Sequence, residues 1–163
     1  MQYAAGPVRL VRQLLDEHRR MLDTVQQARL ALLDGDLAEA RLAHADLQRL
    51  LSAHAEREER VLIPDIPVSA RWPAAVYLAE HHKIAQLAAG LRRRLDVSGP
   101  PDGPTRLALL DAHHPFVHLL EHHFAREEQA LFVDVPAGRG AGPVLESGLE
   151  SVPGAEDPAD DGE

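Results

Sequence analysis

The sequence predicts an all-α protein in which four helices form an antiparallel up-down-up-down bundle. The chain has 163 residues, of which 45% are apolar but only 4% aromatic. This composition favours helices over sheets and suffices for one hydrophobic core. Apolar residues recur at steps of three and four, which is the period of an amphipathic helix. The four periodic segments span about 8–33, 37–62, 73–96 and 105–133.

The segments between these helices have the composition of turns. Residues 34–36 read Asp-Gly-Asp, and Asp36 followed by Glu39 predicts a capped start for the second helix. A proline-rich stretch separates the second and third helices, and residues 98–104, Ser-Gly-Pro-Pro-Asp-Gly-Pro, form the third connection. Pro115 lies inside the fourth segment. It predicts either a kinked helix or a short helix followed by a longer one.

The chain divides into a helical domain and a tail. Residues 137–163 are rich in glycine, proline and acids, and contain seven acidic residues and one arginine. They therefore carry −6 of the total net charge of −9. Such a composition cannot supply a hydrophobic core. We predict a four-helix bundle over residues 1–136 and a disordered acidic tail over residues 137–163.

Composition and charge exclude several classes of function. The chain has no cysteine, which excludes disulfides, thiolate metal ligands and cysteine nucleophiles. The net charge of −9 argues against a nucleic-acid partner. No apolar run reaches the length of a membrane span and the N-terminus lacks the features of a signal peptide, so we expect a cytoplasmic protein without a membrane partner. The oligomeric state stays open.

The histidines and glutamates follow an internal repeat. Leu-Leu at residue 50 begins a ten-residue segment that recurs 69 residues later, and both copies contain His-x-x-x-Glu. The first and third helices each add one histidine to their apolar stripe. The chain therefore resembles two copies of a helical hairpin. The residues that lie on the stripes are His18, His54, Glu58, His81, His123 and Glu127.

These six residues predict a metal site with two ions. Counting from the predicted turns places the four histidines near one layer of the bundle, and each glutamate lies one turn from its histidine on the same helix face. Polar groups on an apolar seam must find partners, because their unpaired burial is costly. Imidazole and carboxylate ligands without thiolate favour iron or manganese, with zinc as a further candidate. Core histidines without a metal are the alternative interpretation.

The remaining polar residues near the stripes receive simpler interpretations. His44 and His113 also obey the 69-residue offset, but each lies about 15 Å along the helix axis from its ligand histidine. We interpret them as packing at one end of the bundle. Glu17 and Glu80 precede ligand histidines and could assist them, but their position off the stripe predicts solvent exposure. The other four histidines are assigned to polar helix faces: His82, His114, His118 and His122. The alternative for His118 and His122 is a metal site on the surface.

Over residues 8–136 the chain resembles the hemerythrin-like, cation-binding HHE family. The resemblance rests on His18, on His54-x-x-x-Glu58, on His81, and on His123-x-x-x-Glu127. It implies an antiparallel four-helix bundle around a non-haem di-iron site. By this resemblance the two glutamates bridge the irons. The first two histidines would complete one iron, and the last two would complete the other.

The family pattern also has departures that bear on function. The oxygen-carrying hemerythrins have a second histidine on the third helix, whereas this chain has Tyr77 and Ala85 one turn before and after His81. The chain also lacks the cysteine-bearing segment of the iron-centre repair proteins. The resemblance therefore implies a di-iron protein that binds or reacts with O2, peroxide or NO. The alternatives are a peroxidase-like or oxygenase-like oxidoreductase and a metal or NO stress sensor.

No catalytic residue can be assigned from the sequence, and Tyr77 is the one further candidate for the site. It shares a helix stripe with His81 and precedes it by one turn. Its ring should therefore point into the bundle, where its hydroxyl needs a partner. We expect Tyr77 to be a phenolate ligand, a hydrogen-bond donor beside the metals, or a core aromatic residue.

Overall fold

A computed structural model describes the backbone of residues 5–139 and the side chains of residues 8–135. Its regular secondary structure in this range is helical, with no strand. The five α-helices are α1 (Ala5–Asp34), α2 (Leu37–Val61), α3 (Ala74–Arg94), α4 (Gly103–Arg126) and α5 (Phe132–Arg139). A 3-10 turn (Ile63–Asp65) follows α2, and a π-helical turn (Glu127–Leu131) joins α4 to α5.

The first three helices begin and end within a few residues of their predicted bounds, but the fourth segment differs. The helix α4 runs without a break through Pro115, so the alternative of a short helix followed by a longer one is wrong. The segment also continues beyond residue 133, through the π-helical turn and α5. A π turn inserts one extra residue into a helical turn, and such turns are frequent at functional sites.

Side-chain caps fix the starts of two helices. Asp36 accepts a hydrogen bond from the backbone N–H of Glu39 at 2.9 Å, which confirms the predicted cap of α2. Asp102 caps α4 in the same way, accepting from the backbone N–H of Thr105 at 2.9 Å. The tight turn between α1 and α2 places Gly35 at φ 81°, a conformation that glycine adopts without strain.

The four long helices enclose one core, because α1 and α3 each pack against both α2 and α4. Buried apolar side chains form three layers along the bundle. The far-end cluster contains Leu32, Leu37, Leu95 and Leu109. The central cluster contains Met21, Leu47, Ile84, Phe116 and Leu120. The site-end cluster contains Leu14, Leu62, Tyr77, Leu131 and Phe132. The histidines and glutamates of the predicted site lie between the central and site-end clusters in every helix.

Two expectations concern the ends and surroundings of the chain. The predicted boundary at residue 136 falls within α5, which continues to Arg139. Residues 140–163, the greater part of the predicted acidic tail, lie outside the described residues. None of the helices between residues 5 and 139 combines the length and apolar character needed to span a lipid bilayer.

Candidate metal centre

The structure brings all six predicted site residues together in the core. Each is buried, with exposures between 0% for the two glutamates and 8% for His81. They form two overlapping groups whose potential ligand atoms lie within 4.8 Å of one another. One group contains His18 and His54, the other contains His81 and His123, and both contain Glu58 and Glu127. This grouping is the one that the family resemblance implies.

The two glutamates lie at the centre of this arrangement. His123 Nε2 is 2.9 Å and His18 Nε2 is 3.2 Å from the Glu127 carboxylate. His54 Nε2 is 3.4 Å and His81 Nε2 is 3.3 Å from the Glu58 carboxylate. These distances are short, yet all four carboxylate oxygens are buried without a hydrogen bond of good geometry to any described residue. The Nε2 atoms and the carboxylate oxygens instead form two groups, each arranged as the ligands of one metal ion would be.

Burial disfavours a charge on the site histidines, but the carboxylates around them raise the pKa of His81 to about 10 and that of His123 to about 9. Protons or metal cations must therefore balance the two core carboxylates. Burial and the nearby Glu127 carboxylate raise the pKa of Glu58 to about 7. Burial also opposes the charge on Glu127, but the four imidazoles close to it, His123 first among them, outweigh burial and hold the Glu127 pKa well below its usual range. Two buried carboxylates so close together need positive charge between them. Divalent cations would supply that charge.

A carboxylate from another helix orients each of the four histidines. His18 Nδ1 and His81 Nδ1 each donate a hydrogen bond of 2.8 Å, to Glu128 and Glu59 respectively. His54 Nδ1 donates to Glu17, and His123 Nδ1 donates to Glu80, both at 3.0 Å. An Nδ1–H bound in this way leaves Nε2 as the free lone pair. All four Nε2 atoms therefore face the two glutamates of the core, as metal ligands require.

The prediction that Glu17 and Glu80 are solvated is wrong. Their side chains are only 20% and 15% exposed. They lie at the edge of the stripe, where a long side chain can reach the histidine of the neighbouring helix. Arg57 donates two hydrogen bonds to Glu17, and Arg126 donates one to Glu80. These arginines hold the carboxylates in place against the histidines.

Sequence reasoning did not assign a role to Glu59 and Glu128. Each directly follows a core glutamate, and the pair Glu-Glu recurs with the 69-residue offset of the repeat. That recurrence was the available signal. Adjacent helical positions point about 100° apart, so the first glutamate of each pair enters the core and the second reaches a neighbouring helix.

Aromatic residues border the site, and Phe124 and Phe132 both stack on His18. The ring of Phe124 stacks on His18 with a centroid distance of 3.9 Å and an interplanar angle of 9°. Tyr77 is 1% exposed and belongs to the site-end cluster. Burial and the Glu127 carboxylate raise the pKa of Tyr77 to about 12, so its hydroxyl is protonated at neutral pH. Whether this hydroxyl acts on a metal stays a prediction.

The site therefore fits a pair of metal ions. Its donors are nitrogen and oxygen atoms only, which suits iron, manganese or zinc. The unbonded oxygens of Glu58 and Glu127 and the unbonded Nε2 of His81 are aimed inward, away from other partners among the described residues. Unpartnered polar atoms at this depth are rare in folded proteins. Two cations between them would satisfy each of these atoms.

A second pair of buried histidines lies nearer the far end of the bundle. His44 Nε2 and His113 Nε2 are 2.7 Å apart, and His113 Nδ1 donates to the backbone oxygen of Leu109 at 2.7 Å. His113 Nε2 must then accept, so His44 Nε2–H is the donor of the pair. His44 Nδ1 is left buried without a hydrogen-bond partner among the described residues. These residues pack away from the metal site, as their spacing predicts.

This pair predicts a loss of stability in acid. Burial, followed by the nearby His113, lowers the pKa of His44 from 6.5 to about 4, and burial also lowers the pKa of His113. The unfolded chain therefore takes up protons before the folded one, and stability is lost as pH falls from about 6.5 towards 4. The shift of His44 alone corresponds to about 3 kcal/mol. Denaturant unfolding at pH 7.5 and 5.0 measures the loss.

The control for this prediction is the double variant His44→Leu/His113→Leu. The histidines of the metal site titrate equally in both proteins, so their contribution cancels in the comparison. We expect a smaller difference in unfolding free energy between the two pH values in the double variant. If the unfolding free energy changed equally with pH in both proteins, the protonation of His44 and His113 would not differ between the folded and unfolded chains, and the prediction would be wrong.

The remaining histidines of α4 lie on its surface. His114, His118 and His122 are exposed, as predicted. The rings of His118 and His122 are in edge contact, with centroids 4.4 Å apart. On α3, His82 is also exposed, and it shares a hydrogen bond of 2.8 Å with Gln86. None of these rings reaches the two ligand groups of the core.

Comparison with known proteins agrees with this geometry. A family model described as the hemerythrin HHE cation binding domain matches residues 9–133, which is 125 of the 163 residues. Searches of curated proteins and of solved structures returned no match. The matched range contains all six residues of the core site and the four carboxylates that orient its histidines. The chain belongs to the hemerythrin HHE cation-binding domain family.

Proposed function

We propose that this chain is a non-haem di-iron protein that reacts with O2, a peroxide or NO. The observation that carries the proposal is the pair of ligand groups that share Glu58 and Glu127. In it, His18 and His54 would hold one iron, His81 and His123 the other, and the glutamates would bridge them. Manganese and zinc fit the same donors.

We also propose that the helices alternate in direction, as in an up-down-up-down bundle. The order of the apolar layers supports this arrangement. Along α1 the chain passes from Leu14 of the site-end cluster to Leu32 of the far-end cluster, and along α2 it passes from Leu37 of the far-end cluster to Leu62 of the site-end cluster. The same reversal relates α3 to α4.

The protein itself contributes to the chemistry by fixing the orientation of the ligands and by surrounding the site with apolar side chains. Bound iron would supply open coordination positions and electrons. The outer carboxylates orient all four histidines, and the apolar layers before and after the site exclude bulk water along the bundle axis. The donor set has six protein side chains for two metals, which leaves positions for a small molecule. A peroxidase-like or oxygenase-like oxidoreductase is therefore the favoured form of this proposal over a simple carrier.

Anaerobic reconstitution with Fe(II) tests the proposal. We expect two irons per chain by metal analysis, followed by new absorption bands when O2, H2O2 or NO is added. A stable, reversible oxygenated form would favour a carrier, and turnover of peroxide with a reductant would favour an enzyme. Failure to bind two metal ions per chain with iron, manganese or zinc would refute the di-metal site itself.

Replacing Tyr77 with phenylalanine tests the role of this residue. Loss of a visible charge-transfer band from the ferric protein is expected if the phenolate binds iron. A changed rate of reaction with peroxide and unchanged spectra are expected if the hydroxyl donates a hydrogen bond beside the metals. Unchanged spectra and an unchanged rate would leave Tyr77 with a packing role in the site-end cluster.

A further inference from the structure

A cavity of about 680 Å³ lies between α2 and α3 and reaches the metal centre. Its inner end is formed by the imidazoles of His54, His81 and His123 together with the ring of Phe124. His54 belongs to one ligand group of the core, and His81 and His123 belong to the other. An occupant of the cavity would therefore touch the surroundings of both proposed metal ions.

The volume of the cavity is far larger than a diatomic gas needs. A water molecule, similar in size to O2 or NO, takes up about 30 Å³ in the liquid. Cavities that bind small organic molecules span about 300–1,000 Å³, and this one lies in the middle of that range. Its size indicates an organic molecule as the occupant.

The larger part of the cavity's surface is apolar. Ile84 and Ala88 line the inner part and are 3% and 1% exposed, and Leu51 and Leu78 line the outer part. Leu78 is 42% exposed, so part of its apolar surface is open for an occupant to cover. Water gains few hydrogen bonds against such walls. An apolar occupant would release that water and cover Leu78.

The charged groups at the mouth already have partners. Arg60 donates a hydrogen bond of 3.2 Å to Glu56, and Glu59 accepts from His81 Nδ1 at 2.8 Å. His82 shares its hydrogen bond with Gln86. Arg60 brings a positive charge to the mouth, and Glu56 and Glu59 bring negative charges. An ionic ligand would therefore meet a like charge there as well as an opposite one. The mouth therefore favours an uncharged molecule.

We infer that this cavity binds an uncharged organic molecule with an apolar body, and that the peroxide substrate of this protein is an organic hydroperoxide rather than H2O2. The inference rests on the proposed di-iron function. The apolar body would lie against Leu51, Leu78 and Ile84, with the hydroperoxide end at the imidazoles. In the reaction the O–O bond breaks, and ROOH with two electrons and two protons gives ROH and H2O. Bound ferrous iron would supply the two electrons, one from each ion, and solvent would supply the protons.

Binding of an unreactive product analogue tests the cavity separately from the chemistry. The probe is 2-phenyl-2-propanol, the alcohol derived from cumene hydroperoxide, titrated into the metal-loaded protein by calorimetry. We expect one molecule bound per chain. The variant Ala85→Phe places a large ring in the cavity from an exposed position and should weaken binding by roughly tenfold or more. The control Ala75→Phe adds the same ring at an exposed position of α3 outside the cavity.

A single-turnover experiment tests the substrate. Anaerobic ferrous protein is mixed with cumene hydroperoxide or with H2O2, and iron oxidation is followed by absorption. We expect the wild-type protein to react faster with cumene hydroperoxide, and we expect Ala85→Phe to lower the ratio of the cumene hydroperoxide rate to the H2O2 rate. Equal affinity for the alcohol in wild-type and Ala85→Phe proteins would overturn the cavity assignment. A faster reaction of the wild-type protein with H2O2 would overturn the substrate assignment. If neither peroxide oxidises the iron, the proposed peroxide chemistry fails, while the binding result still decides the cavity.

Discussion

Glu127→Gln is expected to abolish binding of both metal ions. Glu127 is fully buried and belongs to both ligand groups, and its carboxylate lies within 3.8 Å of an Nε2 atom from each of the four histidines. Glutamine keeps the size of the side chain but removes the negative charge that two cations need. We expect metal analysis to give fewer than one tightly bound ion per chain. Glu58→Gln should behave similarly.

The same variant should lose the stabilisation that metal provides. A ligand present at 1,000 times its Kd adds about 4 kcal/mol to the stability of the folded state. Thermal unfolding with and without added metal measures this difference. Glu56→Gln is the matched control, because Glu56 is on the same helix as Glu58 but is 67% exposed. Two bound ions in Glu127→Gln, or an equal rise in Tm with metal for this variant and the wild-type protein, would refute the bridging role.

Glu80→Ala is expected to weaken metal binding by about 10–100-fold, the usual effect of losing a carboxylate that orients a ligand histidine. Glu80 accepts a hydrogen bond from His123 Nδ1 at 3.0 Å and is itself held by Arg126. Without it, the His123 ring can rotate or take the other tautomer, and its Nε2 no longer has a fixed direction. Competition with a chelator measures the change in affinity.

Glu121→Ala is the control for this variant. Glu121 lies on α4 close to His123 in sequence, but its side chain is exposed on the helix surface. It should leave the metal affinity within about twofold of the wild-type value, as surface substitutions usually do. If Glu80→Ala and Glu121→Ala had equal affinities, the hydrogen bond to His123 would have no part in metal binding.

The helices and the six core residues were accessible to sequence reasoning because both depend on periodicity. Apolar steps of three and four mark the helices, and a histidine or glutamate on such a stripe must point into the core. The repeat then aligns the two halves of the chain. Features outside the stripe were harder to predict. The π-helical turn at Glu127–Leu131 leads into Leu131 and Phe132 of the site-end cluster, and no local pattern in the sequence marks it.

The carboxylates around the histidines were the main error in the sequence interpretation. A glutamate at the edge of a stripe looks the same in sequence whether it contacts solvent or a neighbouring helix. Glu17 and Glu80 contact histidines because the neighbouring helices lie close enough, and because Arg57 and Arg126 hold their carboxylates in place. The cavity beside α3 likewise follows from the shape of the packed helices, since alanine at position 85 is an ordinary helical residue.

The hydrogen bonds to the four histidines join the helices into a closed ring. Each histidine donates its hydrogen bond to a glutamate of the preceding helix: α2 to α1, α3 to α2, and α4 to α3. The histidine of α1 closes the ring by donating to Glu128, just after α4. A helix that detaches therefore frees its own histidine and also releases the histidine of the next helix. We therefore expect the site to assemble in an all-or-none manner, because each histidine is oriented only when the neighbouring helix is docked. Metal uptake by a refolding chain should follow the docking of the last helix, and it should lag behind the appearance of helical secondary structure.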